Sequence, residues 1–195
     1  MRRAVLAVIS AVAVLSACTS VGGDPTPVTT TSDAAGTSPS KPDDSGMPPI
    51  TEPELDLSSF SVCDLLKADQ LAELDVAEPG KAEDTSTGPT CAWRPKDRVL
   101  GTSFSATILE GTDGIEGFYR NRLAEFEAIE IANYPAFNGS GTDLKSGSCT
   151  TGVGVAEGQG FVVQVNVNDE KLPEYTKPCS VSGDIAETIV GNLKG

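Results

Sequence analysis

Thr150-Thr151-Gly152-Val153-Gly154-Val155-Ala156-Glu157-Gly158-Gln159-Gly160-Phe161-Val162-Val163-Gln164-Val165-Asn166-Val167 is the stretch that decides the fold. Thr150 to Val155 alternates around Gly152 and Gly154, and Glu157 to Gly160 is glycine-rich and polar. Phe161, Val163, Val165 and Val167 then fall on one side of a period-two pattern, with Val162, Gln164 and Asn166 on the other. Period two is the signature of a half-buried strand, and two such runs around a short glycine-containing loop read as a β-hairpin. The Gly-x-Gly within it does not read as a nucleotide loop. It lies inside a strand entering a hairpin, and no helix N-terminus follows to receive phosphate.

Outward from the hairpin, Ser182 to Leu193 reads as a closing helix, with Ile185, Ala186, Ile189, Val190 and Leu193 on its core side. Leu172 to Pro178 is a loop. Upstream, Glu127–Ile131 and Tyr134–Phe137 read as short strands around Asn133, the second irregular or at an edge because of Pro135. Asp113 can cap a helix with Glu116 as its capping-box partner, and Ile115, Phe118, Tyr119, Arg122, Leu123 and Phe126 continue at helical spacing. Thr102 to Leu109 alternates as a strand with Phe104, Ala106 and Ile108 inward. Gly88-Pro89 is a turn before the strand Cys91-Ala92-Trp93, Cys63 to Leu74 reads as a helix, and Pro79-Gly80 ends that region. Consecutive strands joined by short loops mean antiparallel pairing. The class is therefore α+β: an antiparallel β-sheet with helices packed against it, in the order helix, strands, helix, strands, helix, with a weak two-half repeat in outline.

The full chain has 195 residues, 14 basic and 28 acidic, and a net charge of −14. That balance argues against nucleic acid, whose phosphates call for basic clusters. There is no histidine, which removes Ser-His-Asp and Cys-His catalysis and histidine-containing zinc sites. No cofactor and no metal site is expected.

Met1 to Ala17 has a basic start at Arg2-Arg3, an apolar run from Ala4 to Leu15, and small residues before Cys18. This is the plan of a secretory signal, and the run is too short to span a bilayer permanently. Leu15-Ser16-Ala17-Cys18 resembles a bacterial lipobox. That resemblance implies a diacylglycerol on the Cys18 sulfur, cleavage before it, and a palmitate-type acyl group on the new amine. Several acyl chains hold a protein stably where one does not. The expected organisation is a signal peptide over 1–17, a lipidated cysteine and disordered tether over 18–55, and a globular domain over 56–195. Cleavage would leave 12 basic against 28 acidic residues, a charge of −16. The tether is rich in Ser, Thr, Pro, Gly and Asp, cannot bury enough surface to fold, and reaches roughly 35 Å as a flexible chain. Its run Thr29-Thr30-Thr31-Ser32 is a candidate for O-glycosylation.

Apart from Cys18, four cysteines remain: Cys63, Cys91, Cys149 and Cys179. In an exported chain an even number reads as two disulfides, with three pairings open. Cys63–Cys91 with Cys149–Cys179 is favoured, because each closes a modest loop around one group of strand and helix. A four-thiolate zinc site lacks the usual close C-x₂-C spacing.

Cys63-Asp64-Leu65-Leu66, Cys91-Ala92-Trp93, Tyr134-Pro135-Ala136, Cys149 at a strand and Cys179 before a final helix, behind a lipobox and a Ser/Thr/Pro tether, together resemble the actinobacterial lipoproteins of domain of unknown function 3558. The resemblance covers Asp56 to Leu193. It implies an exported, membrane-anchored, disulfide-bonded domain of a Gram-positive, high-GC organism, and it brings no activity.

The leading expectation is a non-catalytic binding or interaction module on the extracytoplasmic face of the cell membrane. Its partner would be an envelope protein, a wall polymer or a small ligand, and Trp93, Tyr119 and Tyr134 are the candidate ligand contacts. A carrier for lipid or another apolar molecule is an alternative. So is a glycan-acting enzyme built on two of the carboxylates Glu110, Asp113, Glu116, Asp143 and Glu157. A surface protein without a specific ligand is the fourth.

Overall fold

The hairpin over 150–167 forms two interior strands of a seven-stranded antiparallel sheet. The computed structural model describes residues 45–97, 100–109 and 113–195. Cys18, the signal segment, most of the tether with Thr29–Ser32, and Glu110 lie outside the described residues. In chain order the strands are β1 (Lys81–Thr85), β2 (Gly88–Trp93), β3 (Thr102–Leu109), β4 (Glu125–Ile131), β5 (Tyr134–Ser140), β6 (Ser148–Ala156) and β7 (Gln159–Val167). Across the sheet they run β1-β2-β3-β7-β6-β5-β4. Two meanders, β1–β3 and β4–β7, thus meet where β3 lies beside β7. The β6–β7 turn is two residues, Glu157 and Gly158, between the paired Ala156 and Gln159. Gly158 has φ +68°, a left-handed conformation that glycine adopts without steric cost.

Period two gives the sheet two faces. Phe161, Val163, Val165, Val167, Phe104, Ala106, Val153 and Val155 share the main core with Cys91 and Trp93. Fully burying each aliphatic or aromatic side chain is worth about 1.5–3 kcal/mol, so this face dominates the folding energy. It is covered by α1 (Ala68–Glu73), a 3-10 turn at Val62–Leu65, and α3 (Pro178–Lys194). The opposite face carries a smaller cluster, Leu109, Ile115, Tyr119 and Phe137, under the single short helix α2 (Glu116–Arg120). Gln164 and Asn166, on this second face, are exposed.

Both disulfides have the favoured pairing, Cys63–Cys91 and Cys149–Cys179. The first ties the 3-10 turn to β2, the middle strand of β1–β3, and the second ties α3 to β6, one of the two inner strands of β4–β7. The two halves share only an outline: one meander has three strands and the other four, and their helices do not correspond, since α1 precedes its meander on the main face and α2 lies on the other.

Several expectations are corrected. The helix over 63–74 is two pieces, because Leu66 is extended (φ −121°, ψ 138°) between the 3-10 turn and α1. The break lets Leu65, Leu66 and Leu71 all enter the core. Gln70 closes the new N-terminus by accepting the Lys67 backbone N–H at 2.8 Å. The helix from Asp113 to Phe126 shrinks to α2, and Glu125 starts β4. Phe126 fits either period, and pairing with β5 decides it. Asp113 does not cap; it binds Arg120 at 2.8 Å. Pro135 sits in an interior strand, not at an edge. The β5–β6 ladder begins only at Ala136, so the proline lies where pairing on that side has ended. The closing helix starts at Pro178, whose fixed φ suits a first helical turn, and takes in Cys179. Strand β1 was not foreseen: all five residues are exposed and show no alternation. Residues 45–55, assigned to the tether on composition, run along the sheet. There Leu55 N–H donates to Val155 C=O at 3.1 Å, and Met47 joins the Ile115 cluster.

Gly152 is a sensitive point. A Cβ there would fall on the Phe137 ring, with Cζ at 2.8 Å and Cε1 nearer still. Phe137 is fully buried and stacks between Phe118 (4.9 Å) and Phe126 (5.2 Å), so it has nowhere to move. Gly152→Ala is expected to cost about 1–3 kcal/mol by overpacking. Gly154→Ala, whose nearest neighbour is the flexible Ile115 side chain at 3.1 Å, should cost less. Urea midpoints of the two variants check the order.

Candidate ligand-binding groove

Helix α3 lies over β6 and β7, while the 3-10 turn at Val62–Leu65, which leads into α1, lies against β2 and β3. One end of the seam between these helices is closed by a reciprocal amide pair. Gln70 Nε2 donates to Asn192 Oδ1 at 3.0 Å, and Asn192 Nδ2 donates to Gln70 Oε1 at 2.8 Å and to the Leu65 carbonyl at 2.9 Å. Elsewhere above the start of β3 the seam stays open as a groove of about 790 Å³, a volume within the range of ligand sites. Its floor includes Leu66, Phe104, Val181 and Ile185. Leu100, on the groove wall, is 52% exposed and is the single large hydrophobic residue exposed among the described residues.

The groove is acidic around this apolar floor. Glu73 and Asp75 come from the end of α1, Glu174 from the 3-10 turn at Pro173–Thr176, and Asp184 from α3; all four are exposed. No Lys or Arg is among the described lining residues. Beside this rim Lys96 Nζ stands 3.1 Å from Asp75 Oδ1.

The aromatic residues singled out from sequence are elsewhere, in the interior. Trp93 is 1% exposed, and its ring stacks on Phe104 at 5.0 Å. Gly80 lies against it: a Cβ built there would be 2.5 Å from Trp93 Nε1 and 2.6 Å from Cys91 Sγ, so indole and disulfide adjoin as expected. Tyr119 is 3% exposed and donates its hydroxyl to the Ala136 carbonyl at 2.7 Å; Tyr134 is 0% exposed and donates to the Pro53 carbonyl at 2.6 Å. None of the three presents a ring to solvent. Arg122 lies over the Phe126 ring at 5.0 Å rather than in a pocket. Among the described residues, no cluster of three or more Cys, Asp or Glu could hold a metal ion. Likewise no helix among them is long and apolar enough to cross a membrane.

Burial raises both the Tyr119 and Tyr134 pKa values, with the Glu52 charge adding to the rise at Tyr134 and Arg122 opposing it at Tyr119. A raised folded value favours the neutral phenol. Its contribution is complete below the unfolded pKa, near 10, and is lost as pH rises through the folded value. Stability is therefore expected to fall above about pH 10. Tyr134→Phe should lower stability at neutral pH and flatten that alkaline loss; melting temperatures across the range test it.

The groove gave no signal in the sequence. Its residues come from several separated segments, and each apolar member reads as ordinary core. Leu100 too becomes visible only in the structure, through its exposure.

No curated protein and no solved structure matches this chain. The family model described as "Protein of unknown function (DUF3558)" matches residues 13–192. That span includes the whole sheet, both disulfides and the groove, and the chain belongs to this family.

Proposed function

We propose that this chain is a membrane-anchored lipoprotein of the extracytoplasmic face, and that its folded domain is a non-catalytic binding module docking its partner in the α1–α3 groove. The observation that carries the reading is the groove itself: a concave apolar floor next to Leu100, the single large hydrophobic residue exposed among the described residues. An apolar floor with a few placed polar groups is the usual make-up of a recognition site. Leu15-Ser16-Ala17-Cys18 supports the anchor, and the polar residues after it support a stand-off from the membrane. The acidic rim weighs against the lipid-carrier alternative, since carboxylates repel the anionic headgroups of common envelope lipids.

The test places a photo-crosslinking residue at Leu100 in the native full-length protein, and in a second strain at Gln164 on the opposite, exposed face. Irradiated cells are expected to give a discrete adduct from position 100 and none from 164. Equal adducts from both positions, or none from 100, would reject the groove as the docking site.

A further inference from the structure

We infer that the groove recognises a basic peptide segment of an envelope protein, an apolar side chain flanked by Lys or Arg; this rests on the docking reading above and names its ligand. Two features of the groove act together. The floor of Leu66, Phe104 and Ile185 takes an apolar side chain and offers nothing to a bare cation. The carboxylates stand on both walls, Glu73 and Asp75 on the α1 side, Glu174 and Asp184 on the α3 side. A ligand whose anchor reaches the floor must therefore carry its neighbouring groups between two negative walls. Cations there are attracted from both sides, and anions are repelled from both. Asp75 already pairs with Lys96 at 3.1 Å, which leaves Glu73, Glu174 and Asp184 to meet the cations of a ligand. The surplus of 28 acidic over 14 basic residues adds a long-range pull on a basic partner and predicts salt-sensitive association.

The experiment uses the isotope-labelled full chain carrying Cys18→Ser. It is titrated with the synthetic peptide Lys-Arg-Leu-Phe-Arg-Lys, with a version in which Glu replaces every basic residue, and with one in which Gly replaces Leu and Phe. The first peptide is expected to shift the backbone amides of α1, residues 100–104 and the first half of α3. The other two should leave them in place. Glu73→Gln/Glu174→Gln/Asp184→Asn should weaken binding on the order of tenfold, the combined effect of three exposed ion pairs, with an unchanged melting temperature because these side chains lie outside the core. Added salt should weaken the parent more than this variant. If the acidic peptide shifts the groove equally, or the triple variant binds as well as the parent, the ligand class is wrong while the docking site survives. Shifts from the basic peptide that centre on the glutamates of β4 also overturn it, as non-specific charge attraction. If no peptide shifts the groove and Leu100 gives no cellular adduct, the docking reading fails with it.

Discussion

Replacing Cys149 and Cys179 together by alanine is expected to remove about 3–4 kcal/mol of stability and to lower the melting temperature by roughly 10–15 °C. The bridged residues are 30 apart, and closing a loop of that length restricts the unfolded chain by about this amount. A domain of this size has about 5–15 kcal/mol in total, so the loss is a large fraction. The consequence should also be local. Cys179 is in the first turn of α3, and Cys149 is fully buried in β6, so the bridge fixes the N-terminal end of the helix to the sheet. Without it, α3 is held there by burial and by the buried contact of Ser182 Oγ with Thr151 Oγ1 at 2.6 Å. A free 17-residue helix is marginal in water. Ser180, Val181 and Asp184 line the groove from this end of α3. Hydrogen exchange should therefore speed up around the groove before the β6–β7 hairpin opens. A denaturation midpoint unchanged from the parent, or exchange that rises uniformly, would show that the bridge does not organise this wall.

The parts of the fold that could be read from sequence are those where local pattern and tertiary packing agree. Phe161 to Val167 reads as a strand: the inward positions Phe161, Val163, Val165 and Val167 are all β-branched or aromatic and recur at period two. Ile185, Ala186, Ile189 and Val190 likewise fit one helix face and pack on the sheet as that pattern requires. The disulfide pairing followed from loop size. Where pattern is ambiguous, packing decides. Ile115, Phe118, Tyr119, Leu123 and Phe126 suit a helix. The same stretch from Glu125 also alternates, and its placement against β5 puts Phe126 on the Phe137 ring while Ile129 and Ile131 reach the main core. Strand β1 is held by its backbone ladder to β2, which leaves no mark on side-chain pattern. The buried aromatics misled in a different way. An indole and two phenols suggest ligand contacts by type, yet both phenols donate to the protein's own carbonyls and the indole packs inside. The groove was illegible because it is a gap between elements, fixed by where α1 and α3 come to rest.

Cys18→Ser is expected to move nearly all of the protein from the membrane fraction to the medium. If Cys18 bears a diacylglycerol and its amine a third chain, attachment is a matter of acyl carbons: each buried CH₂ contributes about 0.8 kcal/mol, so two or more chains anchor stably where a single chain is marginal. The rest of the chain offers little substitute. The chain's charge of −14, or −16 if it is cut before Cys18, is repelled by an anionic leaflet, and the Ala4–Leu15 run, if left uncut, is short of the roughly 20 apolar residues a span needs. Export itself should survive, because the basic start and the apolar run are untouched. The released protein should therefore carry both disulfides and resist alkylation until reduced, which separates loss of the anchor from loss of translocation or of the fold. Mass spectrometry of the parent's N-terminal peptide should begin at Cys18 and carry the lipid mass. If the serine variant still sediments with membranes, Cys18 is not what holds the protein there. A membrane protein docked in the groove at Leu100 would then be the attachment, and the photo-crosslinked adduct from position 100 should co-sediment with it.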